Sequence, residues 1–253
     1  MTAPDPSAKQ LRAVAPVIAT GATGRHLVGT ALVVANGTRV IAISSAELLR
    51  PFNGQQLALV TKFETEAAKT ATTPIAAWGI GRFAGVAMIE LGGAIPADHD
   101  VVPLDIASVC ASVDTRGAPS AIVTIGNSPT GFERVVIPVH VDGDDAGGML
   151  DRTMFLASPH DKAFAAFPVE GAPVFTWFPP DLVLGRPSEV LAVALAYPYR
   201  AKTAKPRAAP VIAELVGLDD LGRALLSNAE PAEPQARERA QVAGEIDDSD
   251  KLN

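Results

Sequence analysis

Residues 28–45 read VGTALVVANGTRVIAISS, a stretch with a turn signal between two apolar runs. The runs are Val28–Val34 and Arg39–Ser44, and both are rich in β-branched residues. Between them lies Asn36-Gly37, a dipeptide that accepts the positive φ angles of a two-residue hairpin turn. The stretch therefore predicts a β-hairpin.

Short apolar blocks recur from Leu27 to Tyr197, each closed by Gly, Pro, Asn or Asp. Such blocks are typical of strands joined by turns. No long amphipathic segment separates them, which argues against a parallel α/β sheet and favours an all-β fold. Ser45–Pro51 is predicted to add a single helical turn that the proline ends. The further predicted strands are Gln56–Lys62, Ile75–Ile80, Gly85–Leu91, Ser120–Ile125, Val135–Val141, Thr153–Ala157, Pro173–Phe178 and Val190–Ala196.

Length, composition and charge limit the class of protein. The chain has 253 residues, of which 48% are hydrophobic, enough for one all-β domain of roughly 200–250 residues with appendages. No apolar run approaches the roughly 18 residues of a membrane span, so we expect no membrane partner. The 21 basic and 28 acidic residues give a net charge of −7. That charge repels a phosphate backbone and disfavours nucleic acid as the partner.

Cysteine usage indicates the compartment. Cys110 is the one cysteine of the chain, so no intramolecular disulfide can form. The first residues, MTAPDPSAKQLRA, lack the apolar core of a secretory signal. We therefore expect a reducing, cytoplasmic setting.

The sequence changes character after Pro198. Residues 199–228 begin with a basic connector, and apolar residues then recur three and four positions apart from Ala209 to Asn228. That spacing predicts an amphipathic helix. Residues 229–253 hold seven acidic and three basic residues and few bulky apolar ones, which predicts a disordered acidic tail. The basic residues of the connector are Arg200, Lys202, Lys205 and Arg207.

A family resemblance rests on the order of several segments, which are Gly29–Val34, Val40–Ala46, Phe83–Leu91, Val102–Leu104, Val123–Gly131, Val169–Phe175 and Leu191–Leu195. In this order they resemble conserved pieces of the trypsin/chymotrypsin-like serine peptidases, from the first hairpin to the G-D-S-G-G-P-L-[VF] segment and the strand after it. The resemblance covers about residues 15–198. It implies a double six-stranded β-barrel within residues 1–198, with the first barrel at 15–100 and the second at 101–198.

The same resemblance implies that the catalytic residues are lost. Ser45 stands where the family has its general-base histidine, Gly85 where it has the orienting aspartate, and Glu170 where it has the nucleophilic serine. A serine hydroxyl needs an imidazole to take its proton, and the imidazole needs a carboxylate to orient it. If a glutamate were the nucleophile of a peptidase, its acyl intermediate would be an anhydride, and no base is in evidence to support such a step. Gly171-Ala172-Pro173 keeps only part of the glycine-rich turn that shapes the oxyanion hole. We expect a pseudoprotease without peptidase activity.

The expected function is a protein-binding or scaffold module. A residual groove beside the lost nucleophile is predicted to include Phe167, Gly171, Phe175 and Trp177, and its ligand would be another protein or a peptide. For one face of these aromatic residues, core packing is the first interpretation and the groove is the second. Two other functions stay open. One is a structural subunit that docks through the helix at 209–228, and the other is a serine peptidase with a rearranged centre at Ser44 or Ser45.

Other chemistry-bearing residues form no recognisable site, and we expect no cofactor and no metal. A catalytic thiol would need a base near Cys110, and Ser128 is followed by proline instead of the second glycine of a nucleophile elbow. The acidic loop at 142–145 lacks the glutamate of a helix-loop-helix calcium site, and the glycines at 21 and 24 precede a strand and no helix. Surface or packing roles are predicted for the four histidines, which are His26, His99, His140 and His160.

Overall fold

The computed structural model describes residues 6–21, 24–52, 56–63, 70–80, 86–109, 119–128, 131–143, 154–159, 169–178, 188–198 and 213–217. Most of these residues are in strands, and the helices among them are α1 (Ala8–Arg12), α2 (Ala46–Leu49) and two 3-10 turns at Arg50–Phe52 and Ile106–Ser108. The predicted helical turn after the hairpin is confirmed by α2, but Pro51 does not end it, because the chain continues through Pro51 as the 3-10 turn Arg50–Phe52. Within the described segments, no helix has the length and hydropathy needed to cross a bilayer.

Six strands close into a first barrel, in the order β1-β2-β3-β6-β5-β4 and back to β1. The predicted hairpin is confirmed as β2–β3, with Asn36 opposite Arg39 and Gly37 at φ 59°. The strand β1 at Val14–Gly21 was not among the predicted strands, which begin at Val28. The strands are β1 (Val14–Gly21), β2 (Gly24–Asn36), β3 (Arg39–Ser45), β4 (Gln56–Lys62), β5 (Ala71–Ile80) and β6 (Val86–Leu91).

A second closed barrel follows β7 (Leu104–Asp105), a two-residue strand that runs parallel to β2. Its order is β10-β13-β12-β11-β8-β9, and the two closed rings confirm the predicted all-β double barrel. The strands are β8 (Ser120–Ser128), β9 (Gly131–Gly143), β10 (Met154–Pro159), β11 (Ala172–Phe178), β12 (Glu189–Pro198) and β13 (Ala213–Gly217).

The structure corrects the predicted helix at 209–228 over five of its residues. Ala213–Gly217 form β13, which pairs with β10 on one side and β12 on the other. The second barrel therefore extends past the predicted end at residue 198. A short apolar run does not by itself distinguish helix from strand, and here the strand supplies partners to two edges that would otherwise be open. The rest of the connector, the helix and the tail at 229–253 lie outside the described residues.

Alternating side chains of the second barrel divide its strands between two cores. Ile122 and Val174 belong to a cluster inside the second barrel. Val123, Ile125 and Phe175 belong instead to the large cluster that fills the first barrel and the junction between the two. Successive residues of a strand point to opposite faces, so β8 and β11 contribute to both cores and join the barrels through apolar contacts.

Polar side chains also tie the barrels together. Gln10 on α1 donates from Nε2 to the carbonyl of Val190 on β12, over 2.7 Å. Arg134 on β9 donates from Nε to the carbonyl of Val14 on β1, over 2.9 Å, and its guanidinium carbon lies 4.5 Å from the centre of the Phe63 ring. These contacts cross from the second barrel to α1 and the first barrel, so the relative position of the two halves is held on more than one side.

Candidate functional site

Ser45 and Glu170, two of the three positions singled out by the sequence, meet at the junction of the barrels. Ser45 is the last residue of β3, and Glu170 lies in the turn before β11. Ser45 Oγ donates a hydrogen bond to Glu170 Oε1 over 3.3 Å, across 125 residues of sequence. Gly85 lies outside the described residues, but its neighbour Val86 pairs with Ser45 on β3.

The local backbone explains how the Ser45 hydroxyl is held. Ser45 has extended dihedral angles, φ −77° and ψ 131°, and caps the start of α2. Its Oγ accepts a hydrogen bond from the N–H of Glu47 over 3.2 Å, as an N-cap serine commonly does. The hydroxyl thus donates to a carboxylate and accepts from the backbone at once, and the residue has 0% of its surface exposed.

The neighbouring Ser44 begins a second series of hydrogen bonds, which is fully buried. Its Oγ donates to the carbonyl of Thr30 on β2 over 2.6 Å. Thr30 Oγ1 accepts from the N–H of Ile125 over 3.3 Å and lies 3.4 Å from Thr124 Oγ1. Buried hydroxyls need such partners, because desolvation without a hydrogen bond is unfavourable. These hydrogen bonds link β3, β2 and β8. The sequence analysis missed Thr30 because no motif marks a buried threonine.

Gly171 brings the turn before β11 against β3. Its φ of +74° lies in the left-handed region, and its N–H donates to the carbonyl of Ala196 over 2.8 Å. A Cβ at this position would lie 2.8 Å from Ser44 Oγ and 2.9 Å from Ser45 N. Both the backbone conformation and the close approach favour glycine here. The short distance between Ser45 and Glu170 depends on this approach.

The predicted aromatic groove is not supported at Phe175. The Phe175 side chain is 2% exposed and packs in the core at the junction, so the core-packing interpretation is confirmed for this residue and the groove prediction is wrong for it. Its neighbours across the sheet are Ala121 and Ala192, whose small side chains leave space for a phenyl ring. Trp177 is half-buried, Gly171 faces β3, and Phe167 lies outside the described residues.

The other predicted candidates do not converge on this site. His26 is exposed on β2, and His99 is half-buried with Nδ1 2.9 Å from Thr61 Oγ1. Position 140 lies on β9 opposite Ser158. Cys110 and His160 lie outside the described residues, as does the second half of the acidic loop at 142–145. In the described part of the chain, no three His, Cys, Asp or Glu residues are placed to hold a metal ion.

One titratable group near the chain segment that joins the barrels has a displaced pKa. Asp98 Oδ2 lies 3.2 Å from Lys62 Nζ, and the hydrogen bond and charge of Lys62 lower the pKa of Asp98 below its ordinary value of 3.8. The lowered pKa means that the carboxylate stabilises the fold above pH 3.8, and that this contribution is lost as the pH falls through the folded-state pKa. The pair is exposed, so the effect on stability is small.

We expect an NMR titration of the Asp98 carboxyl carbon to give a pKa below 3.8. In Lys62→Met the pKa should return towards 3.8, because the hydrogen bond and the charge are both removed. Lys9→Met, which removes a lysine on α1, serves as the control, and in this variant the pKa of Asp98 should equal that in the parent protein. A pKa that is identical in the parent and in Lys62→Met would contradict the assignment.

No protein-family model matches the sequence, and a comparison with curated proteins finds no match either. Solved structures do match. The Drosophila Grass clip serine protease of the Toll pathway is 9% identical, with 89% of this chain and 70% of that chain covered at a TM-score of 0.58. Human heparin binding protein is 11% identical, with 92% and 99% covered at 0.54. An inactivated protease paralogue of the scabies mite is 12% identical, with 90% and 99% covered at 0.53. The chain therefore has the chymotrypsin-like double-barrel fold of the trypsin-like serine proteases.

Proposed function

We propose that this chain is a non-catalytic relative of the trypsin-like serine peptidases and acts as a protein-binding or scaffold module. The observation that carries the proposal is the Ser45–Glu170 contact at the junction of the barrels. The two residues in contact, a serine and a glutamate, stand at the positions that the resemblance assigns to the general base and the nucleophile. Neither side chain can perform the step required at its position.

The burial of Ser45 argues against a rearranged centre in which this serine is the nucleophile. Glu170 lies within hydrogen-bond distance and is in principle a base for it. However, Ser45 has no exposed surface, so a substrate carbonyl has no path to Oγ. The hydroxyl also accepts the N–H of Glu47. An attack by Oγ would require α2 to lose its cap.

The residue two positions before Glu170 gives the proposal further support, on the same resemblance that puts Glu170 at the nucleophile position. The oxyanion hole of the family uses the backbone N–H of the nucleophile and that of the residue two positions earlier. In this chain that earlier residue is Pro168, and proline has no N–H. Loss of a single oxyanion donor costs about 10²–10³ in rate. Restoration of the three triad residues alone would therefore still leave one donor missing.

The comparisons are consistent with a binding role on this fold. One similar structure is described as an inactivated protease paralogue and another as a heparin binding protein. A fold alone does not determine a function, so these neighbours only indicate that double barrels serve roles besides peptide hydrolysis. For this chain, the net charge of −7 disfavours a polyanionic ligand such as nucleic acid. We propose a protein or peptide partner, and a cytoplasmic setting with the single cysteine reduced.

We expect Glu170→Ser to restore no peptidase activity, because Ser45 cannot accept the proton of the new hydroxyl. Turnover of a fluorogenic casein substrate should stay at least about 10⁴-fold below that of an active trypsin-like enzyme assayed in parallel. A serine-directed fluorophosphonate should label neither the parent nor the variant. Glu170→Gln is the matched control, since it keeps the shape of the side chain without its charge. Turnover by Glu170→Ser above that of Glu170→Gln would show that a base is already in place.

The binding half of the proposal is tested by affinity capture with the full chain and with a chain ending at Asn228. Recognition by the barrels would be supported if both chains capture the same partners and if these partners are lost when the full chain is heat-unfolded before capture. Partners lost with the shortened chain would place recognition on the acidic segment at 229–253. If neither chain captures a protein in a fold-dependent way, the binding role is wrong.

A further inference from the structure

Gln10 attaches α1 to the second barrel. Its Nε2 donates to the carbonyl of Val190 on β12 over 2.7 Å, and its Oε1 accepts from the N–H of Ser7 over 2.7 Å. The backbone N–H of Gln10 donates to Ser7 Oγ, which completes a capping box at the start of α1. Gln10 is 8% exposed. A buried side chain therefore uses both of its ends, one within α1 and one on β12.

Arg12 attaches the other end of α1 to the chain segment that joins the barrels. Its Nε donates to the carbonyl of Asp100 over 3.1 Å, and its Nη2 donates to the carbonyl of His99 over 2.8 Å. The carbonyl of Arg12 accepts from the N–H of Val102 over 2.9 Å. Residues Ser7–Arg12, which we call the strap, therefore run between β12 and the joining segment at 99–102.

Hydrogen bonds hold the strap more than apolar burial does. Four of its six residues are exposed, and Leu11, its one large apolar side chain, is half-buried. A helix of five residues does not persist in water without tertiary contacts, and its hydrogen bonds can be exchanged for bonds to water. Ala13 and Val14, which follow the strap, have 0% of their surface exposed. The strap and the start of β1 therefore differ in what holds them in place.

We propose that the strap is a detachable element, which opens as one unit while both barrels stay folded and which fastens β12 to the joining segment when it is closed. Segments with few buried apolar contacts open at a lower free energy than the whole protein. Because the helix forms only while it is attached, the bond from Gln10 and the bonds from Arg12 are lost together. The inference concerns the fold and does not rest on the proposed binding role.

Native-state hydrogen exchange of the full chain, followed by NMR, tests the strap in the parent protein. The N–H groups of Leu11, Ala13 and Val102 report its opening, because each donates to a carbonyl of the strap. The N–H of Val33 is the reference, since it donates to the carbonyl of Ala13, just beyond the strap. After correction for intrinsic rates, the three reporters should exchange at least about tenfold faster than Val33.

The urea dependence of the same exchange distinguishes local opening from global unfolding. Opening of the strap exposes little surface, so low concentrations of urea should leave the exchange of the three reporters unchanged. Reporters that exchange as slowly as Val33, with the same urea dependence, would show that α1 is an ordinary part of the core. That result would overturn the proposal.

Gln10→Met tests whether the two attachments open together. The variant keeps the length of the side chain but removes its hydrogen bonds to Ser7 and Val190. Exchange at Val102, which bonds at the opposite end of the strap, should rise about tenfold, while exchange at Val33 stays as in the parent. Lys9→Met is the matched control, because it makes the same change at the exposed neighbouring residue, and it should leave Val102 unchanged.

Two results of the Gln10→Met experiment would contradict the proposal. If exchange at Val102 keeps its parent rate, the two attachments open separately. If exchange at Val33 rises by the same factor as at Val102, the substitution has destabilised the whole protein and the strap has no opening of its own.

Discussion

Phe175→Ala should lower the free energy of unfolding by about 3–5 kcal/mol. Phe175 is among the largest fully buried side chains and is 2% exposed. It packs in the cluster that the two barrels share, and β11 contacts β2 there. Ala121 and Ala192 flank it on the neighbouring strands, so neither neighbour across the sheet has a side chain long enough to fill the cavity. Urea unfolding followed by circular dichroism measures the loss.

Phe178→Ala is the matched control for this prediction. Phe178 is at the end of the same strand and is half-buried, so its truncation removes less apolar contact and should cost less than half as much. If Phe175 lined an open groove instead of the core, the two variants would cost similar amounts. Equal losses would therefore contradict the assignment of Phe175 to the junction.

Gly171→Ala should destabilise the protein by about 2–5 kcal/mol. The left-handed φ of +74° costs about 1–2 kcal/mol for a residue with a Cβ. The Cβ would also meet Ser45 N at 2.9 Å, and this backbone atom cannot rotate away. Overpacking of this kind adds about 1–3 kcal/mol. We expect the loss in urea unfolding, together with shifted amide resonances at Ser45 and Glu47 as the turn moves off β3.

Gly37→Ala separates the two contributions. Gly37 has a φ of +59°, and a Cβ built on it meets nothing within 4 Å. This variant should show the backbone cost alone, about 1–2 kcal/mol. A cost for Gly171→Ala no larger than that for Gly37→Ala would mean that the turn is not pressed against β3, and the packing of the junction would need revision.

Side chains from both barrels hold the barrels together at their junction. Ser45 and Glu170 share a hydrogen bond, Ser44 and Thr30 share another, and Leu48 fills the space beside them. Ser45 and the turn at Gly171 therefore hold each other in place across the junction.

The local pattern of the sequence was enough to predict the hairpin at 28–45, the short α2 and the all-β character. Each depends on neighbouring residues: Asn36-Gly37 supplies the turn, and apolar blocks between turn residues supply the strands. The strand β1 was not predicted, and it contains Pro16, which has no N–H to give to a strand ladder. Tertiary pairing with β2 and β4 determines it nonetheless. The order of the family-like segments also singles out positions 45 and 170, which lie 125 residues apart in sequence.

Other features depend on residues far apart in sequence. Local spacing suggested a helix at residues 213–217, but pairing with β10 and β12 makes them a strand. Alternation could place Phe175 and Trp177 on one face of β11, but only the second barrel's contact with the first shows that Phe175 is buried. Separate strands are joined across the junction by the hydrogen bonds Ser45–Glu170 and Ser44–Thr30. The packing of Leu48 against Gly29 and Gly171 joins them as well. The sequence determined the elements through short-range preferences, whereas long-range packing decided which of their side chains meet, because burial depends on what lies opposite each face.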